Sequence, residues 1–129
     1  FLQMLDAVDY VHNSGFVHRD IKPSNFMLTK EEKIKVLDFG IAKNTEKENE
    51  DYTLTGTGSM LGTPLYLSPE QVKSTKAVTY QSDIYSLGVV LWEMIMRKKR
   101  YDVKTMSTFE LQTKIVNEKL PPTPVEMPV

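Results

Sequence analysis

The chain contains no cysteine. That excludes disulfides, thiolate metal sites and cysteine nucleophiles, and it is compatible with a reducing compartment. No charge of one sign dominates: 16 Lys and Arg against 17 Asp and Glu leave a formal net charge of −1. No broad field therefore points to nucleic acid or a membrane surface. No apolar run approaches the ~18 residues a bilayer-spanning helix requires. Phe1-Leu2-Gln3-Met4 has neither the basic segment nor the long apolar core of a signal peptide, and reads as the middle of a helix. There is no internal repeat and no G-x-G-x-x-G phosphate loop; Gly56-Thr57-Gly58 with Gly62 has the wrong spacing and follows no strand. What remains, 129 residues with 40% apolar and 26% charged, has the make-up of one globular domain or part of a larger one.

Leu2, Leu5, Val8 and Val11 recur every third position, with Phe1, Met4 and His12 alongside. Residues 1–14 are thus expected to form an amphipathic helix, ended by Gly15 in a left-handed cap. No capping residue precedes Phe1, so an upstream continuation is expected. Phe16-Val17 is a short strand candidate. Phe26-Met27-Leu28 and Ile34-Lys35-Val36-Leu37, joined by polar residues 29–33, predict a hairpin whose two ends carry Asn25 and Asp38. Residues 41–62 are polar and aperiodic, a long loop of the kind that carries function. Ser68 can cap a short helix with Pro69 at its first position.

The strongest helical pattern covers about 80–96, with Thr79 as N-cap and Asp83 in the first turn. Ile84, Leu87, Leu91, Met94 and Ile95 trace one face, and Val89, Val90 and Trp92 occupy others, which predicts a central helix buried nearly all round. Arg97-Lys98-Lys99-Arg100 places cations at its negative pole. A further helix is expected at about 107–118, with Phe109, Leu111, Ile115 and Val116 apolar, before Pro121, Pro122, Pro124 and Pro128 rule out regular helix. The expected fold class is mainly α with a small β-hairpin.

One stretch carries chemistry: His18-Arg19-Asp20-Ile21-Lys22-Pro23-Ser24-Asn25, read with Asp38-Phe39-Gly40. Asp20 can take, or orient, the proton of a hydroxyl. Lys22 can offset charge developing on a phosphate. The Asn25 oxygen and the Asp38 carboxylate are hard ligands suited to magnesium. Each has a plainer reading taken singly: a turn residue, a solvated lysine, an Asx turn, a strand-end cap. Gly40 alone indicates only a turn.

Together with Gly62-Thr63-Pro64, Ser68-Pro69-Glu70 and Asp83-Ile84-Tyr85-Ser86-Leu87-Gly88, in that order, these motifs resemble the C-terminal lobe of a eukaryotic-type serine/threonine protein kinase over nearly all of residues 1–120. The resemblance implies a partial kinase domain over 1–129, with a catalytic loop at 18–25 and an activation segment at 38–70. Asp20 would be the catalytic Asp, Lys22 the phosphate-contacting Lys, and Asn25 and Asp38 the magnesium ligands. ATP and Mg2+ are the implied cofactors, and a Ser/Thr-bearing protein the substrate. His18 would pack beneath the loop as a structural residue. Asp83 would hold the catalytic loop's N–H groups, and Thr63 would line the substrate site and contact Asp20. Arg19 would pair with a phosphate on the activation segment at Ser59 or Thr57, with Thr55 a near alternative.

Several positions depart from the pattern. Ser68 replaces the common Ala and, with Pro69-Glu70-Gln71, resembles bacterial members. Arg97 stands where a helix-ending Gly is usual, and Arg100 where a Pro is usual. Glu70 would pair with a later Arg, yet none follows Arg100. The N-terminal lobe, with its Gly-rich loop and lysine, is not in this stretch and is an implied partner, so the 129 residues alone are expected to show no appreciable kinase activity. The expected compartment is cytoplasmic, any membrane anchor lying outside this chain. Two other readings stay open: a small-molecule phosphotransferase of the aminoglycoside-kinase type, which the long loop ending in Ser68-Pro69-Glu70 argues against, and a non-catalytic kinase-like interaction module, which intact Asp20, Asn25 and Asp38 argue against.

Overall fold

Met4, Val8 and Val11 bury one stripe of the first helix, α1 (Leu2–Asn13). The helix stops because Gly15 takes φ +86°, a left-handed conformation open to a residue without Cβ. Gly15 N–H then reaches His12 O at 2.9 Å, and Phe16 N–H reaches Val11 O at 3.2 Å, which satisfies two terminal carbonyls. The computed structural model describes residues 1–37 and 64–123. Asp38, Gly40, Thr55, Thr57, Ser59 and Thr63 lie outside the described residues.

Two short strands, β1 (Phe26–Leu28) and β2 (Ile34–Val36), pair antiparallel with Phe26 opposite Val36 and Leu28 opposite Ile34. Leu37 N–H extends the ladder to Asn25 O at 2.7 Å. The hairpin is tied to α1 through Gln3, whose side chain accepts from Ile34 N–H at 2.8 Å and donates to Glu32 O at 3.1 Å.

After a 3-10 turn at Pro64–Tyr66 comes α2 (Pro69–Lys73). Ser68 and Gln71 cap α2 reciprocally: Gln71 Oε1 accepts Ser68 N–H at 3.0 Å, and Ser68 Oγ accepts Gln71 N–H at 3.4 Å. The longest element is α3 (Tyr80–Met96), entered from extended Thr79, whose N–H donates to Ser82 Oγ at 3.2 Å. The last is α4 (Thr108–Asn117), capped by Ser107 Oγ on Glu110 N–H at 3.1 Å.

The fold class is the expected one, mostly helical with a two-stranded antiparallel sheet. Two apolar clusters hold it. Met4 and Val8 of α1 meet Ile21, Leu87 and Val90, and Leu65 and Tyr101 meet Leu111 and Ile115 of α4. Tyr66 packs against both clusters. Each fully buried aliphatic side chain contributes roughly 1.5–3 kcal/mol.

Two expectations are corrected. Phe16-Val17 forms no strand, because the amides that follow it, at His18 and Arg19, bond to a side chain of α3 instead of a neighbouring strand. Helix α3 is not buried all round: Ile84 is 54% exposed and Met94 51%, while Ser82, Asp83, Ser86 and Glu93 are buried with Leu87 and Val90. Its inward face is thus part polar, because those polar groups have partners there. Phe109 is 78% exposed, and Leu111 and Ile115 alone supply the buried stripe of α4.

The C-cap of α3 is Arg97 at φ 52°, a left-handed residue with a Cβ. That conformation costs a non-glycine residue about 1–2 kcal/mol. Arg97→Gly is expected to stabilise the protein by about 0.5–1 kcal/mol in urea unfolding at high salt, where the lost charge is screened. An unchanged or lowered midpoint would show that the cap carries no strain.

Candidate active site

The loop from His18 to Asn25 is held from below by α3. Asp83, 2% exposed, accepts His18 N–H at 2.8 Å on one oxygen and Arg19 N–H at 2.9 Å on the other. The first oxygen also lies 2.8 Å from His12 Nε2 of α1. The His12 ring rests against Tyr80, with centroids 4.7 Å apart. A buried carboxylate left without such donors would cost several kcal/mol.

Arg19 takes φ 70°. The turn persists because both of its backbone groups are engaged: its N–H on Asp83 and its carbonyl on Gln71 Nε2 at 3.0 Å. Non-glycine residues in this region occur where surrounding structure over-determines them, often at functional sites. Its side chain forms no ion pair among the described residues.

His18 is fully buried. Its Nε2 lies 2.9 Å from Leu37 O, and its Nδ1 accepts Asp20 N–H at 3.2 Å. Those partners assign the proton to Nε2. One ring therefore ties the loop to the end of the hairpin, next to Asp38 in the chain.

Lys22 is extended, as residues before proline tend to be, and Pro23 opens a 3-10 turn, Pro23–Asn25. That turn folds Asn25 back on Asp20. Its amide donates to Asp20 O at 2.7 Å and to Asp20 Oδ2 at 3.2 Å. With both donors on Asp20, the amide oxygen is left as an acceptor. Lys22 Nζ lies 3.3 Å from Asp20 Oδ2. The structure thus brings Asp20, Lys22 and Asn25 into one polar cluster, its Asp20 carboxylate 41% exposed. A base, a cation and a neutral oxygen ligand within hydrogen-bonding reach can serve chemistry on a phosphate. No group of three or more His, Cys, Asp or Glu fit to hold a metal occurs among the described residues.

Glu70 of α2 has no arginine partner among the described residues; its Oε1 accepts from Ser82 Oγ at 2.7 Å. Burial pushes its carboxyl up, but hydrogen bonds from Ser82, its own backbone and Ser68 outweigh that, and the net direction is below the ordinary 4.5.

Three contributors escaped sequence reading. Gln71 is visible as a capping residue, but not as the group that also holds Arg19. His12 falls one turn after Val8 on the inward side of α1, a spacing that could have flagged it. Lys99 joins Tyr66 and Glu93 in a network: Tyr66 Oη donates to Glu93 Oε2 at 2.8 Å, Lys99 Nζ donates to the same oxygen at 2.9 Å, and Lys99 also donates to Tyr66 Oη. No local pattern announces it.

Asp83→Ala, which orphans one buried and one part-buried N–H group, is expected to lower stability by roughly 3–5 kcal/mol in urea unfolding, and Asp83→Asn by about half that, since one acceptor remains. A loss under about 1 kcal/mol for the alanine variant would contradict a bracing role. For Glu70, a depressed folded-state value means that its stabilisation is present above the unfolded-state value and is lost as pH falls through the folded one. The stability gap between the parent and Glu70→Gln should therefore be constant around neutral pH and narrow as the pH falls below the ordinary carboxylate value. A gap that widens towards acid would reverse this assignment.

The protein kinase domain family matches residues 1–126. The chain is 44% identical over 110 residues to a probable serine/threonine-protein kinase of Clostridium acetobutylicum, a match covering 85% of this chain and 16% of that protein. It is 47% identical over 92 residues to one of Streptomyces coelicolor, covering 71% and 13%, and 39% identical over 119 residues to one of Bifidobacterium longum, covering 92% and 15%. The chain thus spans about a sixth of the length of these relatives, or less.

Proposed function

Because this chain belongs to the protein kinase domain family, we propose that its protein transfers the terminal phosphoryl group of ATP to serine or threonine hydroxyls of other proteins. The observation that carries the reading is the Asp20–Lys22–Asn25 cluster, joined by Asn25 Nδ2 at 3.2 Å and Lys22 Nζ at 3.3 Å to the same Asp20 oxygen.

In this reading the Asp20 carboxylate orients the attacking hydroxyl and receives its proton as the new O–P bond forms and the bond from the γ-phosphorus to the β,γ-bridging oxygen breaks, with ADP as the leaving group. Its hydrogen bond from Asn25 fixes the carboxylate's direction. Lys22, a compact cation beside it, offsets charge on the transferred group. The Asn25 oxygen and the Asp38 carboxylate would hold magnesium, which when bound supplies charge neutralisation at the phosphate oxygens. His18, Asp83 and Gln71 position the loop without touching the reactants. Thr63 would contact Asp20 from the substrate side, and Gly40 would let the chain turn after Asp38.

Regulation follows the same logic. A phosphate on Ser59 or Thr57, or on Thr55, would add about two negative charges that the Arg19 guanidinium can pair with. No helix among the described residues is long and apolar enough to cross a membrane, and the reading places this domain in the cytoplasm with its ATP.

Asp20→Asn in the full-length protein is expected to lower kcat by about 10²–10⁴-fold on a protein or peptide substrate, with the thermal midpoint little changed. Turnover within a few-fold of the parent would remove Asp20 from the chemistry and, with it, the basis of the proposal.

A further inference from the structure

Just past the end of α3, Arg97, Lys98 and Lys99 line a cavity of about 410 Å³ that Pro23, Met94 and Glu93 also wall. Pro23 directly follows Lys22, so this cavity adjoins the loop that carries Asp20.

One carboxylate and three cations face the space, and the carboxylate is already engaged. Glu93 is 9% exposed and accepts from Tyr66 Oη, Lys99 Nζ and Arg100 N–H. Its charge is answered by Lys99, so it has little left to attract a basic ligand. The Tyr66 phenol adds no negative charge: burial pushes it above its ordinary value, only partly opposed by Lys99, and it stays a donor near neutral pH.

The other two cations are unspent. Neither Arg97 nor Lys98 forms an ion pair among the described residues. Lys98 Nζ lies 6.0 Å from the Trp92 ring centroid, a contact with a ring face that leaves its charge in place. The left-handed turn at Arg97 changes the direction of the chain where these side chains emerge. A cationic lining over an apolar wall, beside a catalytic loop, fits a chain that carries carboxylates.

We propose that the cavity lined by Arg97 and Lys98, with Glu93 neutralised by Lys99, selects substrate segments that carry acidic side chains close to the phosphorylated serine or threonine. This rests on the kinase reading of the Asp20 loop. It names the substrate chemistry of that site.

Two peptides with the same acceptor, one flanked by Asp and Glu and the other by Lys and Arg, separate the possibilities when given to the full-length protein. Binding is read by fluorescence anisotropy on versions with Ala at the acceptor, and phosphorylation on the intact versions. The acidic peptide is expected to bind about tenfold more tightly at low salt, with the preference shrinking as ionic strength rises. Arg97→Glu/Lys98→Glu should reverse the preference, and Arg97→Gln/Lys98→Gln should flatten it. Lys30→Glu/Lys33→Glu, the same charge change on the exposed hairpin turn, should retain it. Equal binding of the two peptides, tighter binding of the basic one, or an equal loss in the hairpin variant would overturn the inference. An acidic preference in binding without phosphorylation of either intact peptide would leave the surface standing and count against the kinase reading instead.

Discussion

One carboxylate organises the molecule. Asp83 lies in the first turn of α3, where the dipole favours a negative charge, but burial alone would make it a liability. It is tolerated because three donors converge on it, two from successive amides of one loop and one from the His12 ring. Those donors come from separate parts of the chain. Helix α3, the C-terminal half of α1 and the turn at Arg19 must therefore be in place together. The left-handed conformation at Arg19 turns the chain just after the two amides that Asp83 holds. Gln71 secures the same residue from the opposite side through its carbonyl.

The second buried acid of α3, Glu93, follows the same physical rule with a different outcome. It too collects donors, but one of them is a lysine, so its field is cancelled as well as its hydrogen-bonding capacity met. Asp83 holds two amides of one loop together with the His12 ring. Glu93 holds the Tyr66 and Lys99 side chains together with the Arg100 N–H, and so fixes the segment after Pro64 against the end of α3. A helix with two such residues cannot present a purely apolar inner face. This explains why Ile84 and Met94 lie outward while Ser82 and Ser86 lie inward.

How much of this was legible depended on whether a signal was local. The helices, the hairpin, the Ser68 cap and the left-handed Gly15 follow from period, turn chemistry and capping, all readable within a few residues. Asp20, Lys22 and Asn25 were readable as a set because their spacing is short, and a 3-10 turn at Pro23 suffices to gather them. The strand assigned to Phe16-Val17 failed because its apolar character is real but its backbone partners are not strands. The buried face of α3 failed because apolar counting gives no weight to an acid that will acquire partners 64 to 71 positions away. His12, Gln71 and Lys99 owe their roles to such distant meetings. The glycine-like behaviour of Arg97 was half visible: the sequence placed an arginine where a helix-ending glycine is usual, and the backbone takes the left-handed turn with arginine in it.

Tyr66 belongs to both apolar clusters, with its carbonyl on Ser86 and its hydroxyl on Glu93. A side chain shared in this way couples two cores thermodynamically. Neither cluster can loosen without changing the other's packing, so the described halves behave as one cooperative unit instead of two independently opening ones. A shift at Pro64 is therefore felt both on the α1 side, which packs with Ile21 of the His18–Asn25 loop, and on the α4 side.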